Sequence, residues 1–243
     1  MPEDDPRWGS VATLLHEQAS GENRIWHRTW TEFTQQERDA AKSLSVGPCW
    51  TRGYPEPSDV VAVPGARYLP YFAATYVLRT YCEVCLAGAR QTAPFRMKAD
   101  PVWGRRSILR LNWVPDELFV RTEVWDAIFQ PFGIENQPVL RHKTGAKLDS
   151  VVQLTIPQEV TLDVAASRHT TCLRCGRDKY TPVCRGFFPS PLGVVNSMSK
   201  SREYFGVTET AFKAILVTSP IYEKIRSAGV KGAEFQACEQ YQR

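Results

Sequence analysis

Residues 211–238 read AFKAILVTSPIYEKIRSAGVKGAEFQAC, and no other stretch of the chain is so clearly punctuated. The first eight residues are apolar and β-branched, as a strand requires. Ser219 stands where a helix wants its N-cap. Pro220 follows at the first helical position, where a missing N–H costs nothing. Ile221, Tyr222 and Ile225 share one face of a helix predicted over 220–228, with Glu223 and Arg226 on the other. Gly229 supplies the left-handed residue that ends such a helix, and 230–238 return as a strand.

The same order occurs upstream. FVRTEVWDAIFQPFGI (119–134) aligns with LVTSPIYEKIRSAGV (216–230), placing Thr122 on Ser219 and Gly133 on Gly229 with one extra residue before Gly133. Thr122 is then a second N-cap, Glu123 lies in the first turn where the helix dipole favours an acid, and Pro131 and Gly133 stop the helix. Two related strand–helix–strand units, around 107–164 and 205–240, predict an α+β fold of mixed and antiparallel sheets with short helices. Duplication and independent recurrence of a common unit both fit.

Outside these units the reading is coarser. Residues 1–22 suggest a frayed start. Residues 31–44 favour helix, with Thr34 and Glu37 spaced as a capping box. The Pro- and Gly-rich segment 45–59 reads as loop. Residues 67–81 read as a strand with Val77 and Leu78 in the core, 107–114 as another, and 151–164 as one interrupted by Pro157. Residues 182–206 read as loop-rich. The division predicted is an N-terminal helical and loop region, 1–66, and an α+β core, 67–243.

The core carries two cysteine pairs with the same two-residue gap, CEVCLAG (82–88) and CLRCG (172–176). Such a pair forms a knuckle whose two thiolates reach one ion, and glycine after the second cysteine permits the left-handed turn. Leu86 stands where that glycine is usual in the first pair. Cys82, Cys85, Cys172 and Cys175 together would make a closed, structural zinc site, with Arg174 and Arg177 offsetting its negative charge. A redox pair and unligated buried thiols are the other readings. Cys184 is a possible substitute ligand, Cys49 and Cys238 read as core thiols, and His169 as a surface residue.

The start MPEDDPRWGS has neither a basic n-region nor an apolar h-region, and no run of about 18 apolar residues occurs. A cytoplasmic, reducing location without a membrane span is therefore expected, in which seven cysteines serve as thiols or ligands. The net charge of +4 is modest, and its densest basic cluster is Arg105-Arg106 with Arg110 nearby. No His-Glu-x-x-His, deaminase, phosphate-loop or Gly-x-Ser-x-Gly signature occurs, so an enzyme is not expected.

With LFVRTEVWDAIFQPFGI, CLRCGRD and AILVTSPIYEKIRSAGVKGAEF in that order, the region from about 107 to 240 resembles the double-CXXCG motif proteins of myxobacteria, a family of immunity proteins. The family's Trp and Tyr-Pro elements have counterparts here at Cys49-Trp50 and Tyr54-Pro55, ahead of the first cysteine pair, so Cys49 is a further candidate for that motif. The resemblance implies a cytoplasmic protein that binds and neutralises a cognate protein toxin delivered between neighbouring bacterial cells. Such a protein needs a complementary surface, and Trp26, Trp30, Trp50 and Tyr54 are candidate contacts, set against a core-filling role. The alternative is a zinc-ribbon-like nucleic-acid-binding or adaptor protein using Arg79, Arg90, Arg174, Arg177 and Lys179. A metalloenzyme ranks third, and the oligomeric state is not fixed by the sequence.

Overall fold

A computed structural model of the chain describes residues 6, 8–19, 31–56, 70–207 and 210–239. The chain divides into two compact units, residues 1–32 with 184–186, and residues 33–183 with 187–243. The first contains helix α1 (Trp8–Ala19), where a frayed start was expected. Residues 43–49, within the predicted N-terminal region 1–66, form a strand of the large sheet of the second unit.

The second unit opens with α2 (Gln35–Ala40), closed by the predicted Thr34–Glu37 capping box, and strand β1 (Ser43–Cys49). Then come α3 (Pro70–Thr75), β2 (Tyr76–Val77), β3 (Arg90–Gln91), β4 (Arg96–Met97), β5 (Ile108–Leu111) and β6 (Val114–Arg121). Helix α4 (Thr122–Val124) continues through a π turn, Trp125–Phe129, and a 3-10 turn, Gln130–Phe132. After it lie β7 (Asn136–Arg141), β8 (Lys147–Leu154), β9 (Glu159–Val160), β10 (His169–Thr171), β11 (Asp178–Tyr180), β12 (Met198–Phe205) and β13 (Phe212–Thr218). Helix α5 (Ser219–Ser227) and β14 (Ala233–Ala237) close the unit. The fold is α+β, as expected.

Four segments differ from expectation. The segment 45–59, expected as loop, begins inside the strand Ser43–Cys49. Residues 67–81 were read as a strand, yet 70–75 are helical and Val77 is exposed. Residues 182–206 contain the eight-residue β12. The strand expected over 107–114 turns at Asn112-Trp113 into β6.

One sheet has the order β4-β7-β8-β6-β5, the larger one β10-β11-β12-β13-β1-β14 with β9 also on β12. In the first, β8 is antiparallel to both β6 and β7, so these two run parallel, joined by the helix and split by β8. In the second, β1 is antiparallel to both β13 and β14 and splits them in the same way. The flanks correspond too. β5 is antiparallel to β6 as β12 is to β13. β4 lies parallel to β7, and Phe188 bridges in parallel to Cys238 just past β14. The spatial order β4-β7-β8-β6-β5 therefore recurs as Phe188-β14-β1-β13-β12.

Chain order sharpens the match. From β1, and again from β8, the chain gives a strand, a cysteine pair, an edge segment, a hairpin, a helix, a glycine and a last strand. Each copy's first strand lies at the centre of the other copy's sheet. The two units are related as a tandem pair that has exchanged central strands.

Small contacts repeat as well. Thr122 Oγ1 donates to Asp149 O and Ser219 Oγ to Ala41 O, each at the start of the exchanged strand. Neither hydroxyl caps its helix, and this corrects the predicted caps: the N-cap positions are Arg121 and Thr218, without side-chain cap bonds. Both helices end alike. Gly133 N–H bonds Gln130 O and Ile134 N–H bonds Phe129 O, while Gly229 N–H bonds Arg226 O and Val230 N–H bonds Ile225 O. That is the Schellman pattern, with φ +72 and +64 at the two glycines. The extra residue before Gly133 is taken up by the π turn, whose i→i+5 bond encloses one residue more than an α turn.

The largest core cluster joins both sheets. Leu44, Ile108, Val120, Val152, Ile215 and Val217 meet Ile128 and Phe129 from the first helix and Ile221, Tyr222 and Ile225 from α5. The opposite faces of the same strands are buried as well, by Phe95, Leu109, Phe119 and Val151 in one cluster and by Phe188, Phe205 and Leu216 in another. Strands buried on both faces read as unbroken apolar runs, hence LFV and AILV.

Candidate metal centre

Each cysteine pair sits at the tip of a hairpin. The first lies between β2 and β3, which pair Tyr76 with Gln91 and Val77 with Arg90. The second lies between β10 and β11, which pair His169 with Tyr180 and Thr171 with Asp178. The two knuckles have the same backbone bonds. Cys82 N–H donates to Ala87 O as Cys172 N–H does to Arg177 O, and Leu86 N–H donates to Cys82 O as Gly176 N–H does to Cys172 O. Leu86 has φ +66 and Gly176 φ +73, so leucine takes the left-handed position without glycine's freedom, at a cost of roughly 1–2 kcal/mol.

Gly88 then lets the outgoing strand press against the incoming one. A Cβ there would fall 2.1 Å from Thr80 O, and Thr80 Oγ1 donates to Gly88 O at 2.6 Å. Lys179 on β11 ties the knuckles together, its Nζ donating to Cys85 O at 3.4 Å, Val207 O at 2.7 Å and Thr210 O at 3.1 Å. The sequence carried no sign of that role for Lys179.

The four sulfurs converge. Cys82 Sγ is 3.8 Å from Cys172 Sγ, Cys85 Sγ is 3.5 Å from Cys175 Sγ, and all four lie within 4.8 Å of one another. Four sulfurs about 2.3 Å from a central zinc would be spaced by about 3.8 Å, so the cluster fits such an ion. Cys82, Cys85 and Cys172 are buried and Cys175 is exposed. The knuckle amide of Cys85 holds the Cys82 thiol down to about 6, and that of Cys175 lowers Cys172 in the same way. Burial pushes Cys85 up to about 12. The backbone amides thus favour the thiolate form of the first cysteine in each knuckle, and a metal ion would supply the positive charge that a thiolate at buried Cys85 requires. Four thiolates would complete a tetrahedral shell and leave no position for substrate.

Cys49 and Cys184 lie outside this cluster, as does Cys238. Cys49 packs beside the joint core and Cys238 is buried in another cluster, both thiols raised by burial. His169 is exposed, packs against Tyr180 with ring centroids 5.2 Å apart, and is not part of the sulfur cluster.

Two of the four predicted partner residues lie among the described residues. Trp26 and Trp30 lie outside the described residues. Trp50 is half-buried, 6.0 Å from Trp103 and covered by the Arg106 guanidinium at 5.1 Å. Tyr54 is exposed and its ring packs against Trp113, with centroids 4.8 Å apart and the planes tilted by 58°. Trp113 was missed in the sequence because SILRLNWV reads as one continuous strand, which hides the turn. No helix among the described residues is long and apolar enough to cross a membrane. Comparison with protein-family models, with curated proteins and with solved structures finds no match to this chain.

Proposed function

We propose that this chain is a cytoplasmic immunity protein that binds and neutralises a cognate protein toxin, on a fold clamped by one structural zinc ion. The observation that carries the reading is the four-sulfur cluster. A centre closed by four thiolates stiffens what surrounds it and offers no coordination position for turnover, which suits a protein that works through its surface. The likeness of CLRCGRD and of residues 214–235 to the double-CXXCG motif proteins supplies the kind of partner. The nucleic-acid alternative draws on five cations around the knuckles, and one of them, Lys179, is already spent on three backbone carbonyls.

The test is co-expression with the product of the adjacent reading frame. A stable stoichiometric complex, relief of that product's toxicity, and zinc near one ion per chain are expected. Absence of both complex and protection would refute the reading.

A further inference from the structure

Trp113 occupies the second position of the two-residue turn between β5 and β6, across which Leu111 pairs with Val114. Its φ is +68, whereas Asn112 before it is not in the left-handed region. A turn of that form normally places glycine at this position, because a side chain there crowds its own backbone. The indole gains no burial in return. It is 59% exposed, and its ring lies against Tyr54, itself 52% exposed.

The turn is held rigidly from behind. Tyr71 Oη donates to Trp113 O at 3.2 Å, and Asn112 donates to Gly53 O through both its backbone N–H and its Nδ2. Residues 50–54 run as a strap along β5: Arg110 N–H donates to Trp50 O, Arg52 N–H to Arg110 O, and Thr51 bridges to Arg110. Arg52 stands on this strap between Trp50 and Tyr54, and Arg106 covers Trp50. Arg52, Arg105 and Arg106 are all exposed. Arg110 takes no part, since its guanidinium turns inward to Val46 O and Gly47 O.

We propose that Trp113 and Tyr54 anchor the surface by which this chain holds its protein partner, and that the partner presents an acidic face with an apolar recess for the indole. A large apolar side chain, exposed where the backbone favours glycine, is explained by something outside the fold. Trp, Tyr and Arg are the residues that dominate binding energy at interfaces. A turn already fixed by three hydrogen bonds loses little freedom on docking. The three arginines set the sign of the complementary face.

This inference rests on the reading of the chain as a toxin-binding protein and assigns that reading a surface. The experiment measures binding of the adjacent reading frame's product to the wild-type chain, to Trp113→Gly, and to the double variant Arg52→Glu/Arg105→Glu. Trp113→Gly is expected to weaken the complex by about 30-fold or more while keeping or raising the thermal midpoint, since glycine adopts this φ freely. The double variant is expected to slow association most at low salt. A wild-type complex that Trp113→Gly leaves at full affinity overturns the surface and spares the functional reading. No wild-type complex overturns both. Steeply salt-dependent binding of a single-stranded oligonucleotide, lost in Trp113→Gly, overturns the assignment of a protein partner.

Discussion

Lys200 on β12 and Glu117 on β6 form an ion pair between the two sheets, with Glu117 buried and Lys200 partly so. Gln153 on β8 donates to Glu117, and Gln91, at the foot of the first cysteine hairpin, is bonded to Gln153, so one polar chain runs from that hairpin across both sheets. Burial pushes the Glu117 carboxyl up against the pull of Lys200. Burial works against the Lys200 ammonium, but the carboxylates of Glu117, Asp116 and Glu159 together outweigh it and the pKa is raised. A raised lysine contributes stability that is complete below its unfolded pKa and is lost as pH climbs through the folded value, so this contribution disappears only in alkali. Lys200→Met would strand a buried carboxylate and should cost about 3–5 kcal/mol at pH 8. In that variant the folded carboxyl takes a proton more readily than the unfolded one, so stability rises as pH falls and the deficit should shrink at pH 5. Denaturant melts at the two pH values check this, and Lys200→Met/Glu117→Gln should recover most of the loss. Cys172→Ser removes one of four sulfurs. It should lower zinc well below one ion per chain and cost on the order of 4 kcal/mol, read by elemental analysis and melting together. A variant that keeps full stability without metal would contradict a structural role.

Among the elements, α5 was legible because every signal for it is local. Ile221, Tyr222 and Ile225 are buried, Glu223 and Arg226 are exposed, and Gly229 is left-handed, all as their spacing requires. The cap was misread because a serine ahead of proline looks local, whereas its hydroxyl reaches Ala41, 178 residues away. Strand β1 was hidden by Gly47-Pro48. Its pairing to β14 shifts register between Val46 and Cys49, and a proline inside a central strand is tolerated at such a bulge. Strand β12 was hidden by its inward serines, Ser199 and Ser201, and by a lysine whose counter-ion lies on another sheet. Gly229→Val should cost about 1 kcal/mol or more through strain at the cap. The π turn permits a sharper comparison. Deleting exposed Asp126 removes the surplus residue, lets the turn wind as α-helix, and should cost less than about 1 kcal/mol. Deleting Lys224 from the regular α5 rotates Ile225 by about 100° away from the core and should cost more than about 2 kcal/mol. Thermal midpoints of the two deletion variants decide, and equal losses would mean that the π turn is not the surplus residue.

At the scale of the molecule, the repeated unit and the cysteine pairing could be read from the chain, but the exchange of central strands could not. β1 finds its partners at residues 216–218 and 233–237, and β8 finds its own at 119–121 and 136–140, and no local pattern says which sheet a strand will enter. The consequence is a molecule whose halves are incomplete in two ways. Each holds one cysteine pair, and each sheet is centred on a strand from the other. The turn between β7 and β8 carries the only covalent link between the halves, with Lys143, Thr144 and Gly145 exposed. Cutting the chain between Lys143 and Thr144 therefore separates the two copies without removing any strand. Fragments 1–143 and 144–243 are expected to show no cooperative unfolding alone, because neither has a closed core or more than two thiolates from its knuckle. Mixed in the presence of zinc, they should form a 1:1 complex containing one ion, seen by size exclusion and elemental analysis. A single fragment that melts cooperatively as a monomer would show that its first strand can return to its own sheet, and the exchange would then not be required for folding. Chelation distinguishes the two bonds between the halves. If the strands alone hold the complex, it survives loss of zinc at lower stability, and if the metal is needed to bring the halves together, the fragments separate.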